Sequence, residues 1–181
     1  MTSGGTEDSS GYALPLGTLE EARALIGKRT PRRTAAFDVS AGMIQHFCAM
    51  TRDANPSYWD QEFAASQWGS IVAPPAMLLT WLMTPDWSPS AGGPEPMLPA
   101  RIPLPGTSMI NGSNDTTYHL PVRVGDRLSV EEELVSVSDL KSTRVGDGHF
   151  METLSVFRNQ DDEVVAEVTN VLFRFTPRSA P

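Results

Sequence analysis

The run Pro75-Ala76-Met77-Leu78-Leu79-Thr80-Trp81-Leu82-Met83 constrains this chain more than any other feature. Only Thr80 interrupts its apolar character, so as a helix it leaves no face for water and belongs inside a fold. Four runs rich in β-branched and aromatic residues follow it, at 116–122, 127–137, 149–157 and 164–175. Their near-alternating polarity reads as strands, and 159–163 (Asn-Gln-Asp-Asp-Glu) reads as the turn joining the last two. A buried helix followed by antiparallel strands gives an α+β domain. At 181 residues, with 40% hydrophobic and 20% charged residues, the chain suits one soluble globular domain with a real core.

The region before the buried helix is organised by caps and turns. Leu19 to Ile26 has the composition of a short helix closed by Gly27, and 34–39 alternates as a strand would. Ser40 offers an N-cap to a helix with Met43, Ile44, Phe47, Cys48 and Met50 on one face. That helix runs to about Arg52 and delivers Asp53 and Asn55 into a tight turn, after which 60–66 forms a second short helix. Between Pro85 and Gly106 seven prolines exclude regular structure, and so long an insertion in a compact domain is often functional. The polar, acidic opening of the chain has no apolar stretch of the signal-peptide kind. These observations divide the chain into a disordered tail over 1–18, a folded domain over 19–177 and a short tail over 178–181.

Composition narrows the chemistry. A net charge of −8 argues against nucleic acid as a partner, since phosphate neutralisation needs a clustered basic surface. The one basic cluster, Lys28-Arg29-Thr30-Pro31-Arg32-Arg33, reads either as a solvated loop or as a contact for coenzyme phosphates. Cys48 is the single cysteine, so an intramolecular disulfide is impossible and a cytoplasmic setting is expected. No apolar run reaches bilayer length, so no membrane partner is expected. His46, His119 and His149 lack metal-ligand spacing, and neither His119 nor His149 has an acidic residue at a spacing that defines a dyad. Cys48, on an apolar helix face, would be an inert buried thiol.

Two segments carry a family resemblance. Asp53-Ala-Asn55-Pro56-Ser57-Tyr58, followed by Gly69-Ser-Ile-Val-Ala73-Pro74-Pro75-Ala76-Met77, resembles the active-site frame of MaoC-like (R)-specific enoyl-CoA hydratases and dehydratases. The Gly-Asp turn at Gly125-Asp126 and the Gly146-Asp-Gly148-His149-Phe150 lead-in to a strand are further family-like elements. The resemblance implies a single hot-dog fold, a curved antiparallel sheet wrapped around the 75–83 helix. It also implies an acyl-CoA substrate bound near Gly69, Ala73, Pro74, Pro75, Ala76 and Met77, with coenzyme A part of the substrate and no separate cofactor or metal.

The chain departs from the catalytic pattern at two places. Where the family has a His after Asp-x-Asn-Pro-hydrophobe, this chain has Tyr58, and a phenol with a pKa of about 10 is a poor base near neutrality. Where the family runs Ala-His-Gly, with the Gly N–H polarising the thioester carbonyl, this chain reads Ala73-Pro74-Pro75, and proline has no N–H. Asp53, Asn55 and Tyr58 then mark vestigial catalytic positions. Implied by the resemblance is a substrate-shaping subunit of a heteromeric enoyl-CoA hydratase for a bulky or long acyl-CoA, a steroid side chain among them. Its partner would be a second hot-dog subunit carrying the catalytic Asp and His, in a dimer or dimer of dimers. Two alternatives stand beside it: a self-sufficient homodimeric hydratase using Asp53 with Tyr58 or with a histidine brought from elsewhere, and a non-enzymatic acyl-CoA or acyl-carrier binding module.

Overall fold

Among the described residues six antiparallel strands form one sheet, against which the apolar run packs. A computed structural model describes residues 13–85 and 96–178, so the tail residues 1–12 and 179–181, and 86–95 of the proline-rich stretch, lie outside the described residues. The strands are β1 (Arg33–Thr34), β2 (Ser108–Tyr118), β3 (Ser129–Val137), β4 (Lys141–Ser142), β5 (Gly146–Arg158) and β6 (Val164–Pro177). Their order is β1-β3-β5-β6-β2, with β4 paired to β5. Helices α1 (Leu19–Arg23), α2 (Ala41–Thr51), α3 (Pro56–Trp59) and α4 (Gln61–Trp68) precede the apolar run.

Local chemistry sets these bounds. Thr18 and Glu21 form a reciprocal capping box on α1. Ser40 Oγ accepts from Met43 N at the start of α2, and Arg52 closes that helix in the left-handed region at φ 56. Contact with the domain already begins at Pro15, whose carbonyl accepts from Leu104 N and from the buried Arg174 guanidinium.

Several expectations are corrected. The apolar run is a 3₁₀ helix, Pro75–Leu82, rather than an α-helix. Two prolines at its start withhold donors, and Met77 N bonds back to Pro74 O at 2.9 Å in the i→i−3 pattern. The helix is not buried all round either: Met77, Leu78, Trp81 and Leu82 are in the core, whereas Leu79 and Met83 are exposed. On α2 only Ile44 and Cys48 are fully buried, and Met43 and Met50 face solvent. The 34–39 strand shrinks to Arg33–Thr34. The first long strand is Ser108–Tyr118, not 116–122, because a sheet-edge strand does not need apolar alternation and β2 is largely polar. Within the proline-rich stretch, Leu98–Arg101 forms a short 3₁₀ helix.

Two apolar clusters sit on the inner face of the sheet. One joins the 3₁₀ helix to Val130, Phe157, Ala166 and Val168; the other gathers Ile102 and Leu104 with Leu134, Met151 and Leu172. Strand crossing is tight where β5 meets β6. A Cβ on Gly148 would collide with the Arg174 carbonyl oxygen and lie 2.6 Å from Phe175 Cα. Backbone cannot swing aside as a flexible side chain can. Gly148→Ala is therefore expected to cost about 3 kcal/mol, a fall of roughly 10 °C in the thermal midpoint. Melting followed by circular dichroism reads this, and a change below about 2 °C would mean the two strands part freely.

Candidate active site and its two cavities

The turn after α2 places the Asp-Asn segment. Arg52, in its left-handed conformation, reverses the chain so that Asp53 N bonds to Cys48 O at 2.9 Å. Asp53 Oδ1 then accepts from Asn55 N, and Asn55 Oδ1 accepts from Ser57 N, each at 3.0 Å, so both side chains start α3. Pro56 occupies the first helical position, where no N–H is needed. Ala73 N bonds to Val122 O at 2.8 Å, and Tyr118 donates its hydroxyl to Pro75 O at 2.9 Å. These contacts close a cavity of about 310 Å³ between α3, the start of the 3₁₀ helix and the segment 118–122.

Asn55, Tyr58, Ala73, Pro74 and Pro75 all line this cavity. Asp53 does not: it lines a separate surface depression with Cys48, Arg52 and Trp59. Gly69, Ala76 and Met77 are also outside the wall. Gly69 caps α4 at φ 84, Met77 is in the core, and Ala76 is exposed at the start of the 3₁₀ helix. Burial raises the Tyr58 pKa, with Asp53 and then Cys48 adding to the rise and a hydrogen bond with Asn55 opposing it. The phenol thus stays protonated near neutrality and can donate a hydrogen bond but not take a proton. Burial, reinforced by Asp53, likewise raises the Cys48 thiol.

Sequence spacing missed one pair. His119, in the cavity wall, has Nε2 2.9 Å from Glu167 Oε2. The two are 48 positions apart, and only the β2–β6 register, which sets Tyr118 against Ala166, brings them together. A histidine held by a carboxylate is an acid–base couple in form, although both side chains are about two-fifths exposed. His149 is structural, buried with Nδ1 2.9 Å from Ser138 O. Three arginines of the basic cluster are engaged within the fold: Arg29 pairs with Glu133, Arg32 with Glu131 and Asp162, and Arg33 donates to Leu82 O.

The 3₁₀ helix has a second side. Three residues per turn stack its side chains in rows, and the row Pro75, Leu78, Trp81 faces the cavity just described. Leu79 and Leu82, from the next row, line another cavity of about 390 Å³. Pro96, Met97 and Pro99 from the proline-rich stretch contribute to its wall, opposite the sheet.

Comparison with known proteins agrees with this architecture. The profile of a family described as "FAS1-like, dehydratase domain region" matches residues 24–168. A probable enoyl-CoA hydratase alpha subunit of Thermomonospora curvata is 35% identical over 154 residues, covering 82% of this chain and 48% of that protein. The 3-oxo-4,17-pregnadiene-20-carboxyl-CoA hydratase alpha subunit of Mycobacterium tuberculosis is 31% identical over 173 residues, covering 90% of this chain and 54% of the relative. The chain thus spans about half the length of these two curated relatives. Among solved structures, a chain of the ChsH1-ChsH2 complex of Mycobacterium tuberculosis superposes with a TM-score of 0.73 at 27% identity, covering 90% of this chain and 93% of that one.

Proposed function

The chain belongs to the FAS1-like dehydratase domain family, with the MaoC-like hot-dog fold, and from that premise we propose that it is a substrate-shaping subunit of a heteromeric enoyl-CoA hydratase. One observation carries the division of labour. The cavity wall offers a protonated phenol at Tyr58 and two prolines at Pro74 and Pro75, where hydration needs a base and a backbone donor. A second hot-dog subunit would supply the Asp and His that take a proton from water and return one to the α-carbon, while this chain shapes the acyl site. The substrate class is a bulky or long acyl-CoA, and the name of the mycobacterial relative supports a steroid side chain.

The open edge of the sheet fits such a partner. Among the described residues strand β2, eleven residues long, pairs only with β6, so a row of backbone donors and acceptors is left for another chain. Its C-terminal end continues into Tyr118 to Val122, the wall of the first cavity, so a subunit seated on that edge would complete the site. Sedimentation at micromolar concentration is expected to show the chain in a dimer or larger species with its candidate partner. A monomer in the presence of that partner would overturn the composite site.

A second reading rests on His119 and Glu167. Should that pair act on substrate, the chain would be a self-sufficient hydratase, and activity of the purified protein alone separates the two readings.

A further inference from the structure

The first cavity holds groups that a substrate-shaping role leaves unused. His119 is in its wall, and Glu167, from β6, holds the ring by Nε2 at 2.9 Å. An ionised carboxylate can only accept, so Nε2 carries the proton and Nδ1 is the basic nitrogen of the neutral ring. Two side-chain donors lie in the same wall. Trp81 is 4% exposed, and its indole N–H has no acceptor among the described residues. Tyr58 is 8% exposed, and burial keeps its hydroxyl protonated near neutrality. A buried donor without an acceptor costs about 1–3 kcal/mol, which an oxygen atom entering the cavity would recover. Leu78 and Leu120 make the surroundings apolar, while the two-fifths exposure of His119 and Glu167 leaves that edge open to water.

A base at a wet edge and neutral donors within an apolar wall suit acyl transfer to water, which asks for no proton at the α-carbon. We propose that the first cavity hydrolyses acyl thioesters, with His119 as general base, Glu167 as its positioning residue, and Tyr58 and Trp81 as donors to the carbonyl oxygen. Water oxygen bonds to the carbonyl carbon as His119 Nδ1 takes its proton, and the carbonyl π electrons move to the oxygen held by the two donors. The intermediate then collapses: the C–S bond breaks, sulfur leaves with the electron pair, and His119 returns the proton to it. The products are a carboxylic acid and a free thiol, and water is the one co-reactant. Ser57, also in the wall, has its Oγ engaged by Trp68 Nε1 at 3.0 Å and no bond to His119 among the described residues, so water is the nucleophile. The thioester class rests on the hydratase reading, whereas the hydrolytic step requires neither a partner subunit nor a double bond.

The test uses the full chain alone with butyryl-CoA, which has no double bond to hydrate. Free thiol, read with a disulfide chromogen, is expected to appear about 10²-fold or more faster than in buffer, matched mole for mole by butyrate. His119→Gln should lower kcat by about 10²-fold, and Tyr58→Phe by about as much, the effect of one lost oxyanion donor. Glu167→Gln should lower kcat about tenfold with KM within about twofold, because it orients the base without touching substrate. Thiol release at the buffer rate overturns the proposal, as does an unchanged kcat in either His119→Gln or Tyr58→Phe. Tyr58→Phe keeps the ring, so it remains informative if His119→Gln fails to fold. A raised KM with unchanged kcat in Glu167→Gln would refute its positioning role. A burst of thiol equal to the protein present would place the acyl group on Ser57 and overturn direct attack by water. Hydration of crotonyl-CoA by the assembled complex is measured separately, so the two readings fail independently.

Discussion

Supplied with crotonyl-CoA and no partner, the purified chain will leave the double bond unhydrated above the buffer rate. A positioned acid–base group is worth about 10²–10⁴-fold and one oxyanion donor about 10²–10³-fold. With the proton of Tyr58 held in place by burial and no N–H at Pro74 or Pro75, both contributions are missing from the wall where the family resemblance puts them. The assembled complex should therefore exceed the isolated chain by about 10⁴-fold or more. Within that complex Tyr58→Phe should change kcat/KM by less than about threefold, because a phenol that only donates a hydrogen bond contributes little to proton transfer. His119→Gln is the sharper variant. If it lowers kcat in the complex by about 10²-fold or more, the couple with Glu167 is catalytic and the chemistry belongs to this chain.

Much of the scaffold was legible in local sequence because local forces decide it. Ser40 and Arg52 bound α2, Asp60 caps α4, and β3, β5 and β6 lie close to their expected ranges, since caps and β-patterned runs act over a few residues. Strand β2 was not legible over Ser108 to Asp115, where an edge position permits Asn, Gly and Asp that a central strand would reject. Asn55, Tyr58 and Ala73 to Pro75 line one cavity, whereas Asp53 is turned to backbone work on Asn55 and lines a different depression. The 3₁₀ geometry from Pro75 stacks Pro75, Leu78 and Trp81 in one row and Leu79 and Leu82 in another, and the two rows line different cavities. The pairing of His119 with Glu167 has no spacing signature, because it is a product of strand register, which one-dimensional patterns do not encode.

Replacing Tyr58 by His and Pro75 by Gly together should raise crotonyl-CoA hydration by the isolated chain about 10²-fold or more over its parent. The argument is positional. Tyr58 sits at the cavity wall on α3, so an imidazole there brings into the same space a base that ordinarily titrates near neutrality, in place of a phenol whose pKa burial raises. Pro75 is the first residue of the 3₁₀ helix, and the first N–H groups of any helix have no partner within it. A glycine at that position would present such an N–H beside a thioester carbonyl. Each single variant should gain less than the double, because a base without an oxyanion donor, or the reverse, leaves one charge of the transition state unsupported. Asp53 limits the gain, since its carboxylate is engaged by Asn55 N and does not line the cavity, leaving the new imidazole unoriented. A folded double variant with no hydration above its parent would show that Tyr58 and Pro75 are not where the missing chemistry lies, and the residue-by-residue match to the catalytic frame would fail.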